Sequence, residues 1–243
     1  MNTEDKLLVE VWSDIVCPFC YIGKRNYESA ISQFTYAQDV VLEFRSFQLD
    51  PHFVQDHSKR HDLTKSLSEK YRRPVAEIEA MQQQITQTAK AAGLDFHFEK
   101  AITFNTFDAH RIIQIAKEKE LGNKLVEIFF AGYFTEGKNL GDKNILTREA
   151  MDAGLTREEI EKALTDDSYA YKVKQDIQEA SNLGISGVPF FVLNDKYGVS
   201  GAQPTQVFLD TLMTAHEDWV KSKKPGLKIV AQGESCDADG NCE

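Results

Sequence analysis

The fold of this chain is decided near its start, in residues 7–20, which read LLVEVWSDIVCPFC. The run LLVEVW is mostly apolar and of strand length, and it predicts a buried strand. Pro18 suits the first turn of a helix, because its φ angle is already close to helical. Cys17 and Cys20 stand between these two elements. Their C-x-x-C spacing lets two thiols close a disulfide or exchange it with another molecule.

The order of the predicted elements indicates an α/β fold. A helix over 18–34 and an alternating strand over 39–49 follow the first strand, and such a β-α-β unit makes its two strands parallel. A long helical region comes next. A helix over 169–183, two short strands and a helix over 205–220 complete the pattern. A strand, a C-x-x-C pair and a helix in succession are typical of a thioredoxin-like active site.

We therefore predict a thioredoxin-like fold with a large all-helical insertion between its β-α-β and α-β-β-α halves. Residues 1–52 and 168–226 are assigned to the thioredoxin-like domain, 53–167 to the helical insertion and 227–243 to a C-terminal tail. The stretch 59–167 reads helical almost throughout. Thr156-x-x-Glu159 within it is a capping box, which predicts the start of a short helix.

The composition limits the partners and the compartment of the protein. The 243 residues carry a net charge of −10, and an acidic chain lacks the basic patch that a nucleic acid requires. No apolar run approaches the about 20 residues that span a bilayer. The N-terminal residues show no basic start, apolar stretch and cleavage site in succession, so we predict no signal peptide and a cytosolic location.

The four cysteines form two close pairs, Cys17 with Cys20 and Cys236 with Cys242. In a reducing compartment, paired cysteines indicate redox or metal chemistry more than structural disulfides. A shared zinc site would need four tetrahedral ligands. The pairs lie at opposite ends of the chain and Pro18 suits a redox dithiol, so we favour redox chemistry and predict no metal.

The two thiols of the first pair are expected to have different roles. The dipole and unpaired N–H groups of a helix N-terminus stabilise a thiolate. Cys17 would lie at that end and Cys20 one turn further in. We therefore predict that Cys17 attacks the substrate and Cys20 resolves the product. The alternative is two free or buried cysteines that happen to be close.

A second signal is Val188-Pro189, just before the apolar strand that begins at Phe190. A proline there cannot donate a ladder hydrogen bond, and an X-Pro bond is the only common site of a cis peptide. In thioredoxin-like folds this proline is cis and faces the C-x-x-C pair. We predict that Val188, Pro189, Pro18 and Phe19 bind the substrate. The alternative for Pro189 is an ordinary trans proline that begins a strand.

With these motifs the chain resembles the DsbA family of thiol–disulfide oxidoreductases, and within it the FrnE-type branch. The resemblance covers nearly the whole chain. It rests on Cys17-Pro18-Phe19-Cys20, on Val188-Pro189 and on the helical insertion. Asp14 and the stretch 105–111, which reads NTFDAHR, support the branch. The role of 105–111 stays open between a specific function and a helix cap followed by solvated charges.

The same fold occurs in 2-hydroxychromene-2-carboxylate isomerases and kappa-class glutathione transferases. These relatives typically carry serine at the position of Cys17 and activate the thiol of glutathione. Because both cysteines are present here, the resemblance favours disulfide exchange. A glutathione-dependent isomerase or transferase is the alternative function. A chaperone-like binding module with an apolar groove is a third.

Phe19 departs from the periplasmic DsbA pattern, which often has histidine at this position. A histidine helps to stabilise the reduced thiolate, and an apolar ring cannot. The reduction potential of strong oxidants of this class is about −120 mV, and that of thioredoxin is about −270 mV. We predict a reduction potential between these values and nearer to the second.

Glu10 interrupts the first strand on the side of Leu8 and Trp12. A carboxylate behind the C-x-x-C pair could relay a proton from Cys20. An acid at the surface or at an edge of the sheet is the favoured alternative.

The tail reads SCDADGNCE over 235–243, and Asp239-Gly240 is a turn signal that could bring Cys236 to Cys242. So short a disulfide loop stabilises little, and a calcium loop would need greater length and a distal glutamate. We predict a second redox pair that exchanges with Cys17–Cys20 or protects it. An incidental tail is the alternative.

The sequence thus predicts a cytosolic thiol–disulfide oxidoreductase or isomerase that works through a mixed disulfide on Cys17. No cofactor is expected besides the redox-active disulfide itself. The expected partners are protein or small-molecule thiols and disulfides, with glutathione among them.

Overall fold

A computed structural model describes residues 6–56 and 61–223. Its sheet has four strands in the order β2-β1-β3-β4. The central strand β1 pairs parallel with β2 and antiparallel with β3, and β3 pairs antiparallel with β4. The strands are β1 Leu7–Ser13, β2 Val40–Ser46, β3 Phe190–Leu193 and β4 Tyr197–Ser200.

The described residues form nine α-helices. Six of them, α2 to α7, lie between β2 and α8 in the sequence, so the predicted thioredoxin-like fold with a helical insertion is confirmed. The exact domain boundaries stay a prediction. The helices are α1 Pro18–Gln33, α2 Leu63–Tyr71, α3 Val75–Ala91, α4 Phe107–Glu118, α5 Gly122–Phe134, α6 Lys143–Ala153, α7 Arg157–Thr165, α8 Asp167–Asn182 and α9 Thr205–Ser222.

The strand β1 is buried on both faces. Val9 and Val11 belong to the large core cluster that also contains Cys20. Trp12 points to the other face, where it packs with Ala180, and its Nε1 donates to the Asp176 carbonyl of α8 at 2.9 Å. Two covered faces explain why β1 reads as a continuous apolar run.

The helix α1 lies between the sheet and the helical insertion. Its Tyr27 stacks on Phe191 of β3 and meets Phe208 of α9 edge to face. Its Tyr21 stacks on Phe130 of α5, with ring centroids 4.9 Å apart. The helix that follows the C-x-x-C pair is therefore packed on both sides.

Two elements differ from the sequence prediction. The strand β2 ends at Ser46 and not at Leu49, because the backbone N–H of Leu49 donates to the Asp14 side chain at 2.8 Å. The region 59–167 is less helical than predicted, since 92–106 forms a connection without a helix. Gly93, near the start of this connection, has φ 77°, a left-handed conformation that glycine adopts readily.

None of the described helices is both long enough and apolar enough to cross a membrane.

Candidate active site

Cys17 and Cys20 meet at the start of α1. Cys17 is the residue before the first helical turn and has an extended backbone, and Pro18 follows it as the first helical residue. The Cys17 N–H donates to the Asp14 carbonyl at 3.0 Å, and the Cys20 N–H donates to the Cys17 carbonyl at 3.1 Å. Both cysteines are free thiols and are buried, with 4 % and 2 % of their surface exposed. The chain order strand, dithiol and helix therefore places the pair where a helix N-terminus favours negative charge.

The Val188–Pro189 peptide bond is cis and faces this pair. The Cys17 thiol lies 3.5 Å from the Val188 carbonyl oxygen, to which its Sγ donates. Gly23 lets Pro189 lie close to α1, because a Cβ at position 23 would lie 3.0 Å from Cγ of Pro189. The structure thus joins the two predicted motifs, which are separated by 171 residues. The role of Val188 and Pro189 in substrate binding stays a prediction.

Phe19 lies at the surface next to the buried thiols, with 41 % of its area exposed. Pro18 is partly exposed beside it. An exposed aromatic ring next to a buried cysteine offers apolar contact area to a molecule that approaches the thiol. Substrate binding by Pro18 and Phe19 stays a prediction.

The Cys20 thiol resists ionisation. Burial raises its pKa well above the ordinary value, and the neighbouring Cys17 raises it further. The Ser13 hydroxyl and the Asp14 backbone N–H act in the opposite direction, because they stabilise the thiolate. Cys20 is therefore a neutral thiol near pH 7, which suits a group that reacts second.

Asp14 connects the loop before the C-x-x-C pair to the helical insertion. Its Oδ1 lies 3.2 Å from Nε2 of His110 on α4, and its Oδ2 accepts the Leu49 N–H. Asp14 and His110 are almost completely buried. The sequence singled out both residues as features of the branch, but their contact bridges 96 positions and was not predicted. His110 is therefore not one of the solvated charges that the simpler alternative for 105–111 assumed.

The structure does not bring Glu10 to Cys20. Alternation along β1 puts Glu10 on the face of Trp12, whereas Cys20 belongs to the cluster on the opposite face. The Glu10 carboxylate accepts from Nε of Arg45 at 2.7 Å. Burial raises the pKa of Glu10, while the Arg45 guanidinium opposes this shift. The relay from Cys20 stays a prediction without a direct contact to support it.

Sequence reasoning missed an ionic cluster one turn beyond the dithiol. Lys24 is buried on α1, and its Nζ lies 2.6 Å from Oε2 of Glu127 on α5. Tyr21 donates from its hydroxyl to Glu127 Oε1 at 2.7 Å, and Arg25 also pairs with this carboxylate. The available signal was a lysine on the apolar face of a predicted helix. A buried lysine needs a partner carboxylate.

With this geometry in place, comparison with known proteins gives the family. A family model described as the DSBA-like thioredoxin domain matches residues 8–213. The chain belongs to this family. The DsbA resemblance inferred from the motifs is thereby confirmed.

Several proteins are similar to this DsbA-like chain. A probable DsbA oxidoreductase from Streptomyces coelicolor, SCO1869, is 36% identical, with 98% of each chain covered and a TM-score of 0.81. The uncharacterized protein YwbO of Bacillus subtilis is 30% identical over 202 residues, which are 82% of this chain and 92% of YwbO. The cytosolic disulfide reductase DsbM of Pseudomonas aeruginosa has a TM-score of 0.60 at 14% identity, with 87% of this chain and 99% of DsbM covered. The last likeness shows the fold alone.

The second cysteine pair of this DsbA-like chain, Cys236 and Cys242, lies outside the described residues, and its redox role stays a prediction. Within 6–56 and 61–223, no group of three or more His, Cys, Asp or Glu side chains is arranged to hold a metal ion.

Proposed function

We propose that this protein is a cytosolic thiol–disulfide oxidoreductase or isomerase of the FrnE-type branch, with Cys17 as the nucleophile. The observation that carries the proposal is the 3.5 Å contact between Cys17 Sγ and the carbonyl oxygen of Val188, next to the cis Pro189. A free thiol at a helix N-terminus, beside backbone groups that can pair with an extended substrate, suits disulfide exchange. The family supports oxidoreductase chemistry in general.

In the reducing direction, the Cys17 thiolate attacks one sulfur of a substrate disulfide. The substrate disulfide breaks, and its second sulfur leaves as a thiolate that takes a proton from water. Cys20 then loses its proton and attacks Cys17 Sγ. The mixed disulfide breaks, a Cys17–Cys20 disulfide forms and the substrate leaves with two thiols. The oxidising direction runs through the same mixed disulfide in reverse.

The surroundings of Cys17 favour an extended substrate with an apolar side chain near the reacting sulfur. Val188 belongs to the segment that leads into β3, and its backbone carbonyl oxygen accepts from the Cys17 thiol. Phe19 adds an exposed aromatic ring on the side of α1. Main-chain hydrogen bonds with Val188 and apolar contact with Phe19 would bind a substrate without strict selection for its sequence.

Glutathione is the proposed small-molecule thiol partner. DsbM of Pseudomonas aeruginosa is a cytosolic disulfide reductase that has also been solved with GSH. A glutathione mixed disulfide on Cys17 would use the same approach to the thiol as a protein substrate. Reduced glutathione would then regenerate the dithiol in a reducing compartment.

The tail cysteines are proposed to form a second redox pair. Cys236 and Cys242 would exchange with the Cys17–Cys20 disulfide or protect it from further oxidation. Replacement of both tail cysteines by serine should change the turnover rate or the resistance to peroxide. Unchanged behaviour in both assays would indicate an incidental tail.

The test of the main proposal uses single-cysteine variants. Wild-type protein should reduce insulin disulfides with dithiothreitol or glutathione as the electron donor. Cys17→Ser should abolish this activity, and Cys20→Ser should accumulate a mixed disulfide on Cys17 that mass spectrometry detects. Glutathione-dependent turnover of a small organic substrate that survives Cys17→Ser would instead support the isomerase or transferase alternative. Insulin reduction that survives Cys17→Ser would contradict the proposal.

A further inference from the structure

The loop after β2, residues 47–56, is joined to the residues that lead to the dithiol. The backbone N–H of Leu49 in this loop donates to the Asp14 side chain at 2.8 Å. The Asp14 carbonyl in turn accepts the Cys17 N–H at 3.0 Å. Leu49 is therefore connected to the proposed nucleophile through one residue, and the loop borders the reacting sulfur.

Leu49 is held at both backbone groups while its side chain stays exposed. Its N–H is bonded to Asp14, and its carbonyl oxygen accepts from Nζ of Lys70 on α2 at 3.3 Å. Even so, 42 % of Leu49 is exposed, nearly the same fraction as for Phe19, two residues beyond Cys17. An apolar side chain on a fixed backbone loses little conformational freedom when a ligand binds to it, and this favours affinity.

Asn105 holds the rest of the loop. It is the first residue of the stretch 105–111, whose role the sequence left open. Its Nδ2 donates to the Phe53 carbonyl at 2.9 Å, and its Oδ1 accepts from Nε2 of Gln48 at 3.2 Å. Its backbone N–H donates to Oε1 of Gln55, also at 3.2 Å. Because these contacts reach both ends of the loop, Asn105 sets the shape of the loop.

The charged side chains beside Leu49 already have partners. Asp50 pairs with Lys70 at 2.8 Å, and the Asp14 carboxylate lies 3.2 Å from Nε2 of His110. The apolar area of Leu49 remains open to a ligand. Burial of apolar area is favourable without a compensating charge, whereas a carboxylate that leaves water needs a partner. An apolar side chain of a substrate therefore suits this surface better than a charged group does.

We propose that Leu49 is a specificity-determining residue, which contacts an apolar side chain next to the disulfide of an extended protein substrate. Asn105 is a positioning residue that holds the loop of Leu49 in place. The inference rests on the proposed function and adds the class of its protein substrates, namely disulfides in segments that expose apolar side chains, as incompletely folded proteins do. Glutathione disulfide has no large apolar side chain and reaches Cys17 without this contact.

The experiment compares three disulfides as oxidants of the reduced full-length protein, in which Cys236 and Cys242 are replaced by serine. Two are disulfide-linked dimers of a pentapeptide whose cysteine is flanked on both sides by leucine or by serine. The third is glutathione disulfide. The reaction is quenched with acid, and mass spectrometry follows the mixed disulfide and the oxidised protein. The dependence of the rate on disulfide concentration separates the affinity for the disulfide from the maximal rate.

The parent protein should react about tenfold faster with the leucine dimer than with the serine dimer at low concentration, because one partly buried leucine supplies this much affinity. Leu49→Ala should lower this ratio to about twofold. The loss should come from weaker binding of the leucine dimer, with the maximal rate unchanged. The rates with the serine dimer and with glutathione disulfide should not move.

Asn105→Asp tests the positioning role. It keeps the Oδ1 that accepts from Gln48 and from the Phe107 N–H, and it removes the donor to the Phe53 carbonyl. The same loss of preference for the leucine dimer is expected, although Leu49 itself is unchanged.

Met213→Ala is the matched control. Met213 is an apolar side chain of similar size, half exposed on α9. Three residues later, His216 Nε2 lies 3.0 Å from Oδ2 of Asp39. Asp39 precedes β2, which runs parallel to β1, so this part of α9 lies at the end of the sheet away from Cys17. Met213→Ala should leave all three rates unchanged.

Three results would overturn the inference. Equal rates of the parent protein with the leucine and serine dimers would show that no apolar side chain is recognised, while the proposed function stands. An equal fall with all three disulfides in Leu49→Ala would assign Leu49 to structure and not to substrate recognition. If the parent protein reacts with none of the disulfides, the proposed function itself fails and this inference fails with it.

Discussion

Nζ of Lys24 lies 2.6 Å from Oε2 of Glu127, and this ion pair joins the helix of the dithiol to the helical insertion. Lys24 is nearly completely buried, and its other carboxylate partner is Glu28, one turn along α1. Tyr21 and Arg25 share the Glu127 carboxylate. A single carboxylate on α5 thus pairs with three side chains of α1.

Glu127→Gln should destabilise the protein by about 1–3 kcal/mol near pH 7, less than for a fully buried pair because Glu127 is partly exposed. Burial raises the pKa of Glu127, but hydrogen bonds from Arg25, Lys24 and Tyr21 outweigh it and hold the pKa below 4.5. A lowered folded-state pKa contributes stability above the unfolded value, and this stability is lost as the pH falls through the folded-state pKa. The difference in free energy of unfolding between variant and wild type, measured by chemical denaturation, should therefore shrink below pH 4.5. Glu118→Gln, which breaks an exposed pair with Lys172, is the control and should cost less than about 1 kcal/mol.

Gly23→Ala should clearly lower the rate of insulin reduction while the protein stays folded. Its Cβ would meet Cγ of Pro189 at 3.0 Å, so the cis-proline segment that contacts Cys17 must move by a few tenths of an ångström. We expect a loss of about 1–3 kcal/mol in stability and a clear fall in insulin reduction. Gly132→Ala in α5 is the control, because its Cβ would meet neighbours only from 3.4 Å outward. It should keep full activity. Equal activity in the two variants would show that the Pro189 contact does not matter for turnover.

The resolving step should accelerate with rising pH. Burial is the largest cause of the raised pKa of Cys20. Burial also acts in the mixed disulfide, where Cys17 carries no thiol, so the Cys20 thiolate is scarce near neutral pH. Each rise of one pH unit below the Cys20 pKa should increase the thiolate fraction, and with it the resolution rate, about tenfold. Stopped-flow measurement of oxidised protein formation from a preformed mixed disulfide on Cys17 checks this slope. A rate that is flat from neutral to alkaline pH would contradict it.

Phe19→His should raise the reduction potential. Phe19 is exposed next to Cys20 in the sequence, so a histidine there leaves the core packing unchanged, and we expect its imidazole to approach the Cys17 sulfur. A protonated imidazole stabilises the thiolate, and tenfold stabilisation of the reduced form corresponds to about 30 mV. Equilibration with glutathione buffers measures the shift. Phe19→Leu keeps an apolar side chain and should leave the potential nearly unchanged.

Short-range patterns in the sequence were enough to predict much of this protein. The apolar run before Cys17, the C-x-x-C spacing and the proline before Phe190 each depend on neighbouring residues alone. They predicted β1, the start of α1 and the cis proline, and the order of elements predicted the fold. The prediction extended β2 too far, to Leu49, because the residues up to Leu49 alternate between apolar and polar as in a strand. In the structure the Leu49 N–H donates to the Asp14 side chain.

The sequence by itself therefore determined the elements, their order and the dithiol between β1 and α1. Only the tertiary structure decided which polar groups surround that dithiol. The contacts of Cys17 with Val188, of Asp14 with His110 and of Lys24 with Glu127 join residues 171, 96 and 103 positions apart. Local periodicity carries no information about such pairs. They are set by how α1, α4, α5 and the sheet pack together, since a buried polar group is stable only where packing supplies its partner.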